Sequence, residues 1–252
     1  MHENIKRYLG CQWLERELYK IQNDDWIDDK VLHKEIVRLT GFDVIDLIDK
    51  LLGKLSGLNG FDRWCQEAKK EKERYDILFE LFCFDNLSGS IELKIPTSTG
   101  DVDAFLKTQN HEIYVDIHNL NKIPESIESK VHDLFKKAKR KFTDKEGVLF
   151  IGCEKLIEGY SNMEPIFIPS FDAFKNEICR ILEDPKRINK NILGFILVIA
   201  VFVVNPITHE AGFRKYFYIL NKPWRKGGPD IKFLVSALKV DEIFIQESLL
   251  AK

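Results

Sequence analysis

The run Ile192–Val204 constrains the fold more than any other stretch, because thirteen residues pass without one charged or amide side chain. It is too short for a membrane-spanning helix, which needs about 20 apolar residues. Its β-branched side chains and the break at Gly194 suit a fully buried strand instead. Phe213–Leu220 follows across the loop Asn205–Gly212, and the two segments are expected to pair as a hairpin.

The other strands reveal themselves by a period of two. Ile91, Leu93 and Ile95 alternate with polar neighbours, as do Val102, Ala104 and Leu106, and then Ile113, Val115 and Ile117. Turn-forming residues separate these runs, the pattern of a meander. Around them the period is helical. Ile5, Leu9, Trp13 and Ile21, then Val44, Ile48, Leu51 and Leu55, mark helices in the first sixty residues. A long helix is expected from Phe61 to Cys83, another over Ile127–Phe142, and a third over Phe171–Leu182. Gly147–Gly152 reads as a short buried strand. A helix between the third and fourth strands implies a crossover, so the expected fold is α/β, a mixed sheet flanked by helices. The glycines Gly57 and Gly60 place a boundary between a helical N-terminal extension, 1–58, and an α/β core domain, 59–252.

Composition narrows the functional classes. A formal charge of -2 gives no global attraction to polyanions, so a nucleic-acid surface must be a local patch. The five cysteines (Cys11, Cys65, Cys83, Cys153, Cys179) are odd in number and form no C-x-x-C pair. That argues against a zinc finger or a disulfide framework and fits a reducing cytoplasm. No apolar run follows a basic start, so no signal peptide is expected. Neither a phosphate loop nor a dinucleotide turn is present, so no nucleotide cofactor is expected. Ser56 misses the G-x-S-x-G elbow by one position, and His209-Glu210 lacks the second His of a zinc protease.

One constellation remains. Residues two apart on a strand share a face, so Asp103, Phe105 and Lys107 point one way, and Tyr114, Asp116 and His118 share another face. If the two strands are neighbours, Asp103 and Asp116 converge, with His118 or Lys107 close by. Two carboxylates make a hard oxygen site suited to Mg²⁺ or Mn²⁺, which polarises a phosphoryl oxygen and acidifies a bound water.

Here Tyr75–Gly152 resembles the PD-(D/E)XK nuclease superfamily, the restriction-endonuclease-like fold. That family carries a Glu on a helix, an Asp at the start of the second core strand, a (D/E)-x-K signature on the third, and a following helix that often has a basic or amide residue near its end, where Lys139–Phe142 falls here. The resemblance maps the helical acid to Glu80, the strand acid to Asp103, and the signature to Asp116-Ile117-His118. It implies metal ligation by Glu80, Asp103 and Asp116, and catalysis by Asp103 and Asp116 with His118 or Lys107. The family's lysine is His118 here, and no proline precedes Asp103. The implied function is metal-dependent hydrolysis of DNA phosphodiesters. The alternative is a non-catalytic module that keeps the nuclease scaffold to bind DNA or protein.

Two basic stretches bear on the partner. Lys130–Lys145 holds seven Lys/Arg against two acids, and Lys136, Lys137, Lys139, Arg140 and Lys141 lie mostly off its apolar stripe. This helix is the candidate DNA-binding surface. Arg214–Lys232 mixes Lys215, Lys222, Arg225 and Lys226 with Tyr216, Tyr218 and Trp224, a composition that suits stacking on nucleic acid or a core hairpin. DNA is the expected partner and a membrane is not; a homo-oligomer is compatible with the reading.

Overall fold

The computed structural model of the protein describes residues 1–23, 31–72, 74–87, 92–97, 102–107, 112–120, 122–161, 164–184, 191–204, 211–221 and 242–246. It is an α/β structure with a mixed sheet flanked by helices. The chain divides into two units, Met1–Asp85 with Ile95–Ser98, and Asn86–Lys94 with Thr99–Lys252. Among the described residues no helix is long and apolar enough to cross a membrane.

The first unit is helical: α1 (Glu3–Tyr8), α2 (Cys11–Gln22), α3 (Val31–Leu55), α4 (Phe61–Glu71) and α5 (Arg74–Leu87). The division falls at Asp85 and not at residue 58, because α4 packs its aromatic face among the N-terminal helices. Phe61 meets Tyr8 edge-on at 5.6 Å and stacks on Trp64, and Trp64 meets Phe84 edge-on. The helix expected over Phe61–Cys83 is two helices, because the backbone turns extended at Lys72. Either side of that break, Lys72 pairs with Glu80, and Arg74 with Glu17. Gly60 is at φ 79°, and a Cβ there would sit 2.0 Å from the Ile95 carbonyl oxygen, so glycine is required at this turn. A carboxylate of α3 caps α1 from outside: Asp49 Oδ1 accepts from the Ile5 N–H at 2.9 Å.

The second unit carries the sheet. In chain order its elements are β1 (Glu92–Lys94), β2 (Ala104–Lys107), β3 (Glu112–Asn119), α6 (Ile127–Lys141) and β4 (Gly147–Gly152). There follow β5 (Ile157–Ser161), β6 (Glu164–Phe167), α7 (Pro169–Glu183), β7 (Ile192–Val204), β8 (Ala211–Asn221) and β9 (Glu242–Gln246). The seven-stranded sheet runs β1-β2-β3-β4-β7-β8-β9, and β5 and β6 form a separate hairpin. β1, β2 and β3 are antiparallel neighbours; β4 returns parallel to β3 through α6. β7 lies parallel to β4, and β8 pairs antiparallel with β7 in the expected hairpin. Periodicity did not reveal β5, β6 or β9, which are four or five residues long.

Both helices of this unit cover one face of the sheet. Val131, Leu134, Phe135 and Ala138 of α6, and Phe171, Phe174, Ile178 and Ile181 of α7, share one buried cluster with Leu149, Ile151, Phe195 and Leu197. Each large side chain so buried contributes about 1.5–3 kcal/mol, enough together to fix α6 against β3 and β4. The helix starts at Ser126, whose Oγ accepts from the Ser129 N–H at 3.3 Å. It ends with Lys139, Arg140 and Lys141 in the last turn, where cations complement the helix dipole. Phe142 then lies over Gly147, where any Cβ would stand 2.3 Å from its ring. That close approach holds the C-terminal end of α6 beside the start of β4.

Candidate functional site

The register of β2 against β3 sets the site. Phe105 faces Tyr114 across the pair, their rings edge to face at 4.7 Å, so the odd positions of β2 share a face with the even positions of β3. Asp103 stands just before β2, with its N–H donating to the Val115 carbonyl at 2.9 Å. Its Oδ2 accepts from the Ile117 N–H at 2.7 Å. Asp116 is on the same face and only 5% exposed. Its register partner is Leu149 and that of His118 is Ile151, both in the cluster under α6, so these polar groups face that helix.

α6 answers with cations. Lys141 pairs with Asp116 Oδ1. The Lys130 ammonium lies 3.4 Å from His118 Nε2. Positions 130, 137 and 141 fall within roughly 20° of one line along an α-helix. This row borders the apolar stripe and brings Lys137 close enough to act on His118. Lys136, Lys139 and Arg140 are exposed and turned away from that line by roughly 80° to 180°. Of the five bases singled out in the sequence, Lys137 and Lys141 therefore meet the carboxylates' face. Lys130 joins them unanticipated, and the sign it gave was its spacing along the edge of the apolar stripe.

The charges perturb one another strongly. Burial first, and then the Asp103 carboxylate within hydrogen-bonding reach, push the Asp116 carboxyl up to about 7, against the pull of Lys141. Burial first, and then Lys130, Lys137 and Lys141, lower His118 to about 4, so its ring is neutral at pH 7 and accepts from Lys130. Lys130 is lowered by its own partial burial and then by Lys137. Lys130, Lys137 and Lys141 all act on His118, and Lys141 also pairs with Asp116.

The remaining candidates sit elsewhere. Lys107 is exposed at the far end of β2, level with Glu92 and Glu112. Four residues along a strand put it roughly 13 Å from Asp103. Glu80 belongs to the first unit, where Oε2 accepts from Trp64 Nε1 at 2.6 Å and Oε1 pairs with Lys72. In the second basic stretch Tyr216 is buried, and Tyr218 packs edge-on against Phe167 and Phe171, so these aromatics are core. Lys222, Trp224, Arg225 and Lys226 lie outside the described residues, as does the side chain of Lys215.

The donor chemistry of Asp103 and Asp116 fits a hard dication. Two adjacent carboxylates raise each other's cost of ionisation, and a cation bound between them relieves it.

The linked shifts predict an unusual pH response. Asp116 is raised above its unfolded value near 3.8, so its contribution to stability is full below that pH and is lost as pH rises through 7. His118 is lowered below 6.5, so its contribution is full above that pH and is lost as pH falls toward 4. The two slopes oppose each other between about pH 4 and 6.5. His118→Gln is expected to expose the Asp116 slope, with stability falling by up to about 1.4 kcal/mol per pH unit as pH rises. Asp116→Asn should expose the opposite slope. Urea denaturation at pH 4.5 and 6.5 measures both, and variants with parallel, wild-type slopes would disprove the pairing.

No family model, no curated protein and no solved structure matches the chain.

Proposed function

We propose that the protein is a nuclease-like phosphodiesterase of the PD-(D/E)XK type, with Asp103 and Asp116 holding Mg²⁺ or Mn²⁺ and DNA as the substrate. The observation that carries this reading is the meeting of Asp103, Asp116 and Lys141 on one face. The element order supports it as well: helix, three antiparallel strands, helix, parallel strand is the order of the restriction-endonuclease-like core. Lys141 takes the part of the signature lysine from the following helix, since a neutral His118 carries no fixed charge. When bound, the metal supplies Lewis acidity at a phosphoryl oxygen and a more acidic water. Lys141 stabilises negative charge that develops beside Asp116, and Lys130 and Lys137 draw a phosphate backbone along α6. Glu80 is left out of the proposed ligand set because Trp64 and Lys72 engage its oxygens.

A second reading draws on the same ion pair. Lys141 pairs with Asp116, and a carboxylate engaged by an ammonium suits a scaffold that binds nucleic acid and does not cut it.

Calorimetric titration with Mn²⁺ and DNA binding at graded salt test the proposal. Mn²⁺ is expected to bind, and DNA affinity to fall steeply with salt. Lys130→Glu with Lys137→Glu should abolish DNA binding, whereas Lys136→Glu with Lys139→Glu should weaken it less. Absence of Mn²⁺ binding with DNA binding retained favours the scaffold; absence of both ends the nuclease-like reading.

A further inference from the structure

We propose that Glu128 and His132 of α6, with Glu177 of α7, form a site for a transition dication of the zinc class, independent of the carboxylate pair. Glu128 and His132 are four apart, so they share a face of α6. The imidazole lies between two carboxylates from different helices: Nε2 is 3.8 Å from Glu128 Oε1 and 3.8 Å from Glu177 Oε1. The three donor atoms all fall within 4.8 Å of one another.

Those separations are long for hydrogen bonds from an imidazole, which run about 2.7–3.2 Å. They approach the donor–donor edge of a tetrahedral zinc site, roughly 3.4 Å for bonds of about 2.1 Å. Small rotations of the exposed Glu128 and the part-buried Glu177 side chains close the difference. The helices beneath do not have to move, since Val131, Leu134 and Phe135 anchor α6 and Phe174, Ile178 and Ile181 anchor α7. A nitrogen donor beside two carboxylates selects the zinc class over Mg²⁺ or Ca²⁺, whose preferred ligands are all oxygen. Three protein ligands leave one tetrahedral position open, for a water or for a group from another molecule. The ion would tie α6, which carries the lysine row, to α7.

One cation competes. Arg180 donates to Glu177 through Nε at 2.7 Å and Nη2 at 2.5 Å. That ion pair is exposed at Arg180, where such pairs contribute little, so a dication can displace it.

Titration of the full chain with zinc chloride, in a Cys11→Ser background to remove an exposed thiol, tests the site. One zinc equivalent is expected, weakened at least tenfold by His132→Ala and by Glu177→Gln. Arg180→Ala should tighten it severalfold, and Asp116→Asn should leave it in place. Zinc should also raise the Tm of the parent but not of His132→Ala. If no zinc binds, or if His132→Ala and Glu177→Gln titrate like the parent, the cluster is only a set of ion pairs and the proposal is overturned.

Discussion

Lys141→Ala is expected to lower Mn²⁺-dependent DNA cleavage by at least about a hundredfold, the cost of removing one preorganised electrostatic group. Asp116→Ala should abolish cleavage and Mn²⁺ binding together. The two variants separate because Lys141 pairs with Asp116 without being a metal donor. Removing the ammonium leaves Asp116 buried beside Asp103 with one cation fewer, so its carboxyl rises further. At pH 8.5 the pair should still take up Mn²⁺, and calorimetry there distinguishes lost chemistry from lost metal. His118→Lys provides the contrast. By the family pattern alone it restores a missing charge and should raise activity. In this structure it sets a fourth ammonium among Lys130, Lys137 and Lys141, so a loss is expected. Lys141→Ala with undiminished cleavage, or His118→Lys with a gain, would remove Lys141 from its proposed role.

The parts of the site that follow a strict period were legible in the sequence. Asp103 and Asp116 share a face because strand alternation is rigid, and one slipped residue would have turned either carboxylate away. Ala104 and Leu106, both buried, fix that register from the opposite face of β2. The apolar run Ile192–Val204 likewise reads directly as strand, and becomes β7 between β4 and β8.

What the sequence hid depends on which helix edge meets which strand. Lys107 and Lys141 are equally basic on paper, and only the crossover through α6 brings one of them to Asp116. Lys130 stands apart from the run of bases at 136–141, so charge density drew attention to Lys136, Lys139 and Arg140 instead. The break at Lys72 carries neither Pro nor Gly, the usual signs of a helix end. Its causes are tertiary, since Lys72 and Arg74 turn to separate carboxylates on either side of it. The boundary at Asp85 was hidden for the same reason: the apolar face of α4 does not say which partner it will pack against.

Glu17→Ala is expected to destabilise the helical unit by about 3–5 kcal/mol, a large share of the 5–15 kcal/mol typical of a folded protein. Glu17 occupies the buried face of α2 with Trp13, Leu14 and Ile21, and is itself 0% exposed. A carboxylate there is tolerable only because cations surround it. Arg16 Nε donates at 3.0 Å, Lys20 lies at 3.3 Å, and Arg74 Nη1 reaches across from α5 at 3.2 Å. Arg16 and Lys20 reach into solvent and lose little when the carboxylate goes. Arg74 is 5% exposed, so its guanidinium stays buried after losing that carboxylate, with the Tyr75 ring still beside it, and this lost charge compensation accounts for much of the effect. Two further variants separate charge from packing. Glu17→Gln keeps the size and an acceptor, so its loss should be substantial but smaller than that of alanine. Glu17→Met combined with Arg74→Met removes both charges and should recover much of the stability, because an apolar pair of similar volume commonly replaces a buried ion pair at little cost. Urea unfolding of the parent, Glu17→Met, Arg74→Met and the double variant closes a double-mutant cycle. A loss below about 1 kcal/mol for Glu17→Ala, or a double variant no more stable than Glu17→Ala, would show that the pair does not hold α2 to α5.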